Sequence, residues 1–208
     1  WGIPSVRFAR PARALLPAAS VAVLLVLSFA AHRQASTWQD SEKLFSHAIS
    51  VSDRNYVAHH NLAWHLLNRN PPDIDRAIYH CLKALQAYPE YPNAHNTLGM
   101  AYARKSEFRE ALEQFIIADR LCPNWPEAIN NIGTTLVMIG RYEEALAQID
   151  RAIKLKPELV GAHCSRALAL NGLGRRREAI AEVEALLRKH PGDPLLRQTL
   201  NLLVNERG

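Results

Sequence analysis

Three cysteines among 208 residues are too few for a disulfide framework, and no C-x-x-C pair is present. The nine histidines include no H-E-x-x-H pair. The chain also lacks a glycine-rich phosphate loop and a G-x-S-x-G turn. Nothing in it assembles a nucleophile, a base and an oxyanion site, so no catalytic site, metal or cofactor is predicted here. Acidic residues are missing from residues 1–33, which carry Arg7, Arg10, Arg13 and Arg33. The rest of the chain then holds 21 of the 25 Lys+Arg against all 20 Asp+Glu. The net charge of +5 is therefore a property of the N-terminal segment, and the nearly neutral bulk is no partner for nucleic acid. A hydrophobic fraction of 48% excludes disorder throughout.

What the first segment does have is a long apolar run. Residues 14–31 carry no charge, and as a helix they would reach ~27 Å, enough for a bilayer core. Arginines precede the run and Arg33 follows it, a bias that places the preceding flank in the cytoplasm and the rest beyond the membrane. A cleaved signal peptide and a buried core helix are the competing readings. The expectation is an integral membrane protein anchored through residues 14–31, with the remainder of the chain extracytoplasmic, periplasmic or lumenal. The first residue is Trp1 rather than methionine, as a segment of a longer chain would show.

The remaining sequence repeats itself. Segments starting at Pro92, Pro126 and Val160 align at a period of 34. The eighth position is small (Gly99, Gly133, Ala167) and the twentieth is alanine (Ala111, Ala145, Ala179). The twenty-fourth is large and apolar (Phe115, Ile149, Val183), and the thirty-second is proline (Pro123, Pro157, Pro191). An earlier copy starts at Tyr56 and carries a two-residue insertion at Pro71 and Pro72. Within each copy apolar residues recur three and four apart, as in an amphipathic helix. Breaks near Asn70 to Asp73, Lys105 and Ser106, Gly140 and Gly174 split each copy into two helices. One such hairpin cannot bury its apolar face alone, so the copies must stack.

This pattern resembles the tetratricopeptide repeat family in its length, its small eighth residue, its alanine at twenty and its closing proline. The resemblance implies an all-α, right-handed superhelical solenoid of helix hairpins, here preceded by one transmembrane helix. The expected organisation is a basic flank and span (1–33), a connecting half-repeat helix (34–55), four repeats (56–91, 92–125, 126–159, 160–193) and a capping helix (194–208). Asp193 is the candidate N-cap of that last helix. Ile149 and Val183 stand where the family has an aromatic, and Arg166 where it has a leucine.

The family's first helices line a concave groove for protein or peptide ligands. Residue by residue, that resemblance nominates His60, Trp64 and Asn68 in the first copy. It nominates Asn93, Asn96, Met100 and Arg104 in the second, Glu127, Asn130, Thr134 and Met138 in the third, and Asn171, beside Cys164 and Leu168, in the fourth. An asparagine offers donors and an acceptor together, so such a row suits a peptide backbone. On that reading, Asn96→Ala with Asn130→Ala weakens binding and leaves stability nearly unchanged. The other reading makes these polar residues a solvated face with hydrogen bonds between repeats. His95 and His163 both occupy the fourth position, which points to packing within the helix pair. The cysteines read as small buried thiols.

A second resemblance covers residues 1–63. Basic residues before a span, then Trp38, Asp40, Leu44 and Phe45, then A-H-x-N-L-A from Ala58, are similar to polytopic glycosyltransferases. These are the O-mannosyltransferase-like proteins that carry such repeats after their last span. This implies a tail that recruits protein acceptors to chemistry performed in an upstream loop, so no catalytic residue is carried over. The leading expectation is a membrane-anchored scaffold that binds a peptide or protein in its groove; this enzyme tail is the alternative, and a secreted array is a third reading.

Overall fold

In the computed structural model of this chain, residues 41–205 are described, and they form ten helices with no strand among the described residues. The connecting helix is α1 (Ser41–Val51). Four hairpins follow: α2 (Tyr56–Asn68) with α3 (Ile74–Ala87), α4 (Pro92–Arg104) with α5 (Phe108–Leu121), α6 (Pro126–Met138) with α7 (Tyr142–Leu155), and α8 (Val160–Gly172) with α9 (Arg176–Lys189). The last helix is α10 (Pro194–Asn205). The predicted span at residues 14–31 lies outside the described residues. No helix among the described residues is long and apolar enough to cross a membrane.

Local chemistry sets the helix ends. Asn55 and Asp73 cap α2 and α3 by accepting from Ala58 N and Arg76 N. Pro92 and Pro126 open α4 and α6 at the first turn, where a missing N–H costs nothing. Asp193 Oδ1 accepts from Leu195 N at 2.9 Å and Leu196 N at 3.1 Å, as its N-cap position predicts. The turns inside the last three hairpins share one geometry. Ser106, Gly140 and Gly174 have φ of 63°, 79° and 76°. The N–H after each reaches back five residues to a carbonyl: Glu107 to Tyr102, Arg141 to Leu136, Arg175 to Leu170. Ser106 holds a left-handed conformation that suits glycine, as at the other two turns. Ser106→Gly is therefore expected to stabilise the array by about 0.5–1 kcal/mol, measured by urea denaturation. An unchanged or lower midpoint would refute it.

The helix crossings within hairpins share a size balance. A Cβ on Gly99 would lie 2.7 Å from the Phe115 ring, and one on Gly133 would lie 2.3 Å from Ile149 Cγ1. Where the eighth residue is alanine, its partner position is smaller: Ala167 with Val183, Ala63 with Cys81. The departure at Val183 is thus a volume compensation across one crossing, whereas Ile149 still faces a glycine. Burial pushes the Cys81 thiol up to about 12, so it behaves as a packing residue. Cys164 is likewise buried, but Cys122 is exposed at the end of α5, contrary to the expectation of three buried thiols. Position 31 lies past the apolar stripe, where the helix has already turned toward its closing proline.

The core is a row of three clusters, one passing into the next through shared half-buried residues. Leu62, Leu66 and Leu98 belong to the first, Phe115, Ile129 and Ile149 to the second, and Leu170, Val183 and Leu203 to the third. Met100 and Tyr102 border the first two, and Leu146 the second and third. Helix α10 closes the row by burying Leu196, Thr199 and Leu203. Such a chain of neighbours has no single centre, as expected of a solenoid.

Candidate protein-interaction face

The first helices α2, α4, α6 and α8 present the nominated residues, but the structure divides them into two sets. The fifth-position residues point at the next first helix. His60 Nε2 lies 3.1 Å from Thr97 Oγ1, and its Nδ1 lies 3.4 Å from the Tyr91 hydroxyl. Asn131 Nδ2 donates to Asn96 Oδ1 at 3.0 Å. Cys164 pairs with Thr199 of α10 in the same register. In the third copy the register shifts, and Thr134 Oγ1 meets Ser165 Oγ at 2.8 Å. The result is a polar ladder joining position five or nine of one helix to position six of the next. Asn96 is only 6% exposed, and burial holds the His60 imidazole below its usual pKa against the hydrogen bonds at Asn61 and Asn93 that favour its cation. Asn130 Oδ1 is buried with no hydrogen-bond partner among the described residues.

This corrects the expectation of a free asparagine row. Asn96 is a buried inter-repeat bond, so removing its amide must affect stability. The partners at position six were not nominated from sequence. Their signal was there, since Asn61, Thr97, Asn131 and Ser165 are polar at that position in every copy.

Apart from Thr134, which belongs to the ladder, the ninth, second and thirteenth positions form the accessible set. Trp64 is 46% and Met138 is 59% exposed. Met100 and Leu168 are half-buried in the ninth-position row, and Asn68 and Asn93 are exposed beside it. Asn171 is half-buried near the end of α8. Not every polar member is unengaged. Glu127 binds Lys156 at 2.7 Å, and that bond holds its carboxyl below the usual range. Arg104 donates to the Leu67 carbonyl and so satisfies the end of α2. A cleft of about 300 Å³ opens beside Trp64, lined by Ser41, Phe45, Asn61, His65, Asn68 and Arg69. Arg166, the fourth copy's departure, bridges helices by binding Asp150 at 2.7 Å and also Glu182.

Comparisons with known proteins agree with this architecture. The family model for the tetratricopeptide repeat matches residues 96–160 and 130–194. The chain carries tetratricopeptide repeats, and its described part is an all-helical solenoid of the kind that serves as a protein-interaction scaffold. Among solved structures, the fold is similar to YrrB, described as a TPR protein with an unusual peptide-binding site. The identity is 24%, over 76% of this chain and 81% of that one, with a TM-score of 0.61. It is also similar to a thermophilic TPR protein of Thermus thermophilus, with 21% identity over 87% and 95% of the two chains and a TM-score of 0.65. MamA shares 20% identity over 76% and 92%, with a TM-score of 0.64. In sequence, 84 residues are 33% identical to protein O-mannosyl-transferase TMTC1 of Mus musculus. That match covers 40% of this chain and 9% of the mouse protein.

Proposed function

We propose that this chain is a membrane-anchored interaction module that holds a peptide or an extended protein segment against its first-helix face. The observation that carries this reading is the accessible ninth-position row, in which Trp64, Met100 and Leu168 lie beside exposed Asn68 and Asn93. Tryptophan and methionine supply adaptable apolar contact, and the flanking amides pair with a ligand backbone. The polar ladder beneath holds the helices in register, so the face is pre-organised and less ordering is needed on binding. The anchor is the apolar run at residues 14–31, and the arginine bias puts the repeats on the extracytoplasmic side.

The test is panning of a random peptide library on the full chain in detergent micelles. Selected peptides should lose roughly 30-fold in affinity on Trp64→Ala, the effect of losing a central aromatic anchor of about 2 kcal/mol. They should be indifferent to Tyr79→Ala on α3, which is also exposed. Peptides that respond to Tyr79 and not to Trp64 would overturn the assignment of the face. Extraction of the chain from membranes by alkaline carbonate would remove the anchor from the reading.

A second reading is favoured by the similarity to the mouse O-mannosyl-transferase. Here the array is part of a larger polytopic glycosyltransferase, and the same face recruits the protein acceptor. A C-terminally tagged native polypeptide several times larger than 23.3 kDa in the membrane fraction would support it, and a band near 23.3 kDa would exclude it.

A further inference from the structure

Three of the four hairpins are latched by a histidine at the fourth position. His59, His95 and His163 each place Nε2 near the carbonyl six residues back: Asp53 at 3.0 Å, Pro89 at 2.9 Å and Pro157 at 2.8 Å. A carbonyl only accepts, so Nε2 carries a proton in all three. Nδ1 then faces a different partner on the second helix in each case. It meets His80 Nδ1 at 2.9 Å, Gln114 Oε1 at 2.8 Å and Glu182 Oε1 at 3.1 Å. Equivalent latches therefore end in a second base, a neutral amide and an acid. In the third hairpin the position is Ile129, which is buried.

These partners answer a proton differently. Between His59 and His80 there is room for one hydrogen. The neutral pair has it on His80 Nδ1, and one added proton is accommodated at the far nitrogen of His80. A second added proton sets two N–H groups nose to nose across 2.9 Å. At His163 the reverse holds, because a proton on Nδ1 completes a bond to the Glu182 carboxylate.

We propose that the array opens from one end in acid: between about pH 6.5 and 5 the first hairpin loosens while the fourth stays latched. The charged and titratable groups around the pair do not reverse this. Glu42 of α1 favours the His80 cation, but it is held by Arg76 at 2.7 Å and by Arg69 at 3.3 Å. Arg76 on α3 opposes that cation, and the Tyr79 ring lies 5.0 Å away. Asp53, Arg54 and Lys83 line the cleft beside His59, and His60 follows it on α2. Burial, then His59 and Arg76, pull the His80 imidazole down to about 4. His60, in the same hairpin, is shifted in the same direction by burial.

The linkage sign follows from which state binds more protons. A histidine lowered in the fold takes its proton on unfolding, so the stability of the first hairpin falls as pH drops below the unfolded value of 6.5 and levels off near 4. His163 is raised by its bond to Glu182, so its contribution is complete below 6.5 and is lost only as pH rises above it. Burial opposes the Glu182 charge, yet His163 and Arg166 keep its carboxyl below 4.5, so its contribution survives throughout this window.

The test is amide hydrogen exchange on the full chain at pH 7 and pH 5, corrected for intrinsic rates. Protection in α2 and α3 should fall on the order of tenfold relative to α8 and α9, as one lost proton site of this size implies. His80→Gln places at the first hairpin the amide that Gln114 supplies at the second, and it should remove most of the difference, leaving the smaller part due to His60, while keeping the pH 7 pattern. Glu182→Gln puts the same amide opposite His163, so the fourth hairpin should lose the added stability that His163 gains in acid yet respond to acid no more than the second hairpin does. Equal loss of protection in both hairpins of the parent, or an acid response undiminished in His80→Gln, would overturn the proposal. If His80→Gln does not fold, the parent and Glu182→Gln profiles still decide it.

Discussion

Gly99→Leu is expected to be the most damaging single change in the array. The glycine lies where α4 crosses α5, and even a Cβ there would sit 2.7 Å from the Phe115 ring, closer than carbon atoms approach. Phe115 is buried within the second core cluster, so its ring is held by the neighbours packed around it. The crossing must widen, which also strains contacts to the neighbouring hairpins. Overpacking of this kind costs roughly 1–3 kcal/mol, and the rigid backing of Phe115 puts the change at the upper end. Equilibrium denaturation followed by circular dichroism would measure it, and a variant with the parent's midpoint would mean the crossing was misassigned. A rescue sharpens the test. The pair Gly99→Ala with Phe115→Val copies Ala167 and Val183 from the fourth hairpin. It is expected to be more stable than Phe115→Val alone, because the added methyl refills part of the void and alanine is the better helix former by about 1 kcal/mol.

Asn96→Ala comes next. The Asn96 carbonyl oxygen accepts from the Asn131 amide between two first helices, in a site that is 6% exposed. Truncation leaves the Asn131 donor half-buried with that acceptor gone. An orphaned donor of this kind costs about 1–3 kcal/mol, whereas the bond itself contributes only about 1 kcal/mol net. The expected signature is thus a double-mutant cycle in which Asn131→Ala adds little to Asn96→Ala. Strict additivity would show that the two amides act independently. Because the change acts on stability, lost ligand binding in an Asn96 variant reports on folding first. Trp64 and Met138 are the cleaner probes of the face.

The legibility of this protein differs between its fold and its face. The helix starts at Pro92 and Pro126 and the turns at Gly140 and Gly174 follow from local chemistry. Proline removes a donor and glycine admits a positive φ wherever they occur. The N-cap at Asp193 was readable for the same reason. Ser106 was less so, because serine does not announce a left-handed turn and only the repeat phase placed it at one. The face was harder. Asn93 and Asn96 are three residues apart on one helix and look alike in sequence. One is exposed and the other is closed off by Asn131 from thirty-five residues away.

By itself the sequence determined the repeat, its period, the helix pairs and the residues that must be small. These depend on interactions within a few residues or within one hairpin, and a pattern recurring every 34 residues exposes them. Only the tertiary structure decided which polar side chains are structural and which remain accessible, what the latch histidines face, and why Arg166 replaces a leucine. Those outcomes depend on the stagger between successive helices, which sets whether an amide meets water or another amide. That stagger is set between copies, where first helix packs on first helix and His60 meets Thr97, Asn131 meets Asn96 and Thr134 meets Ser165, so no single copy contains it.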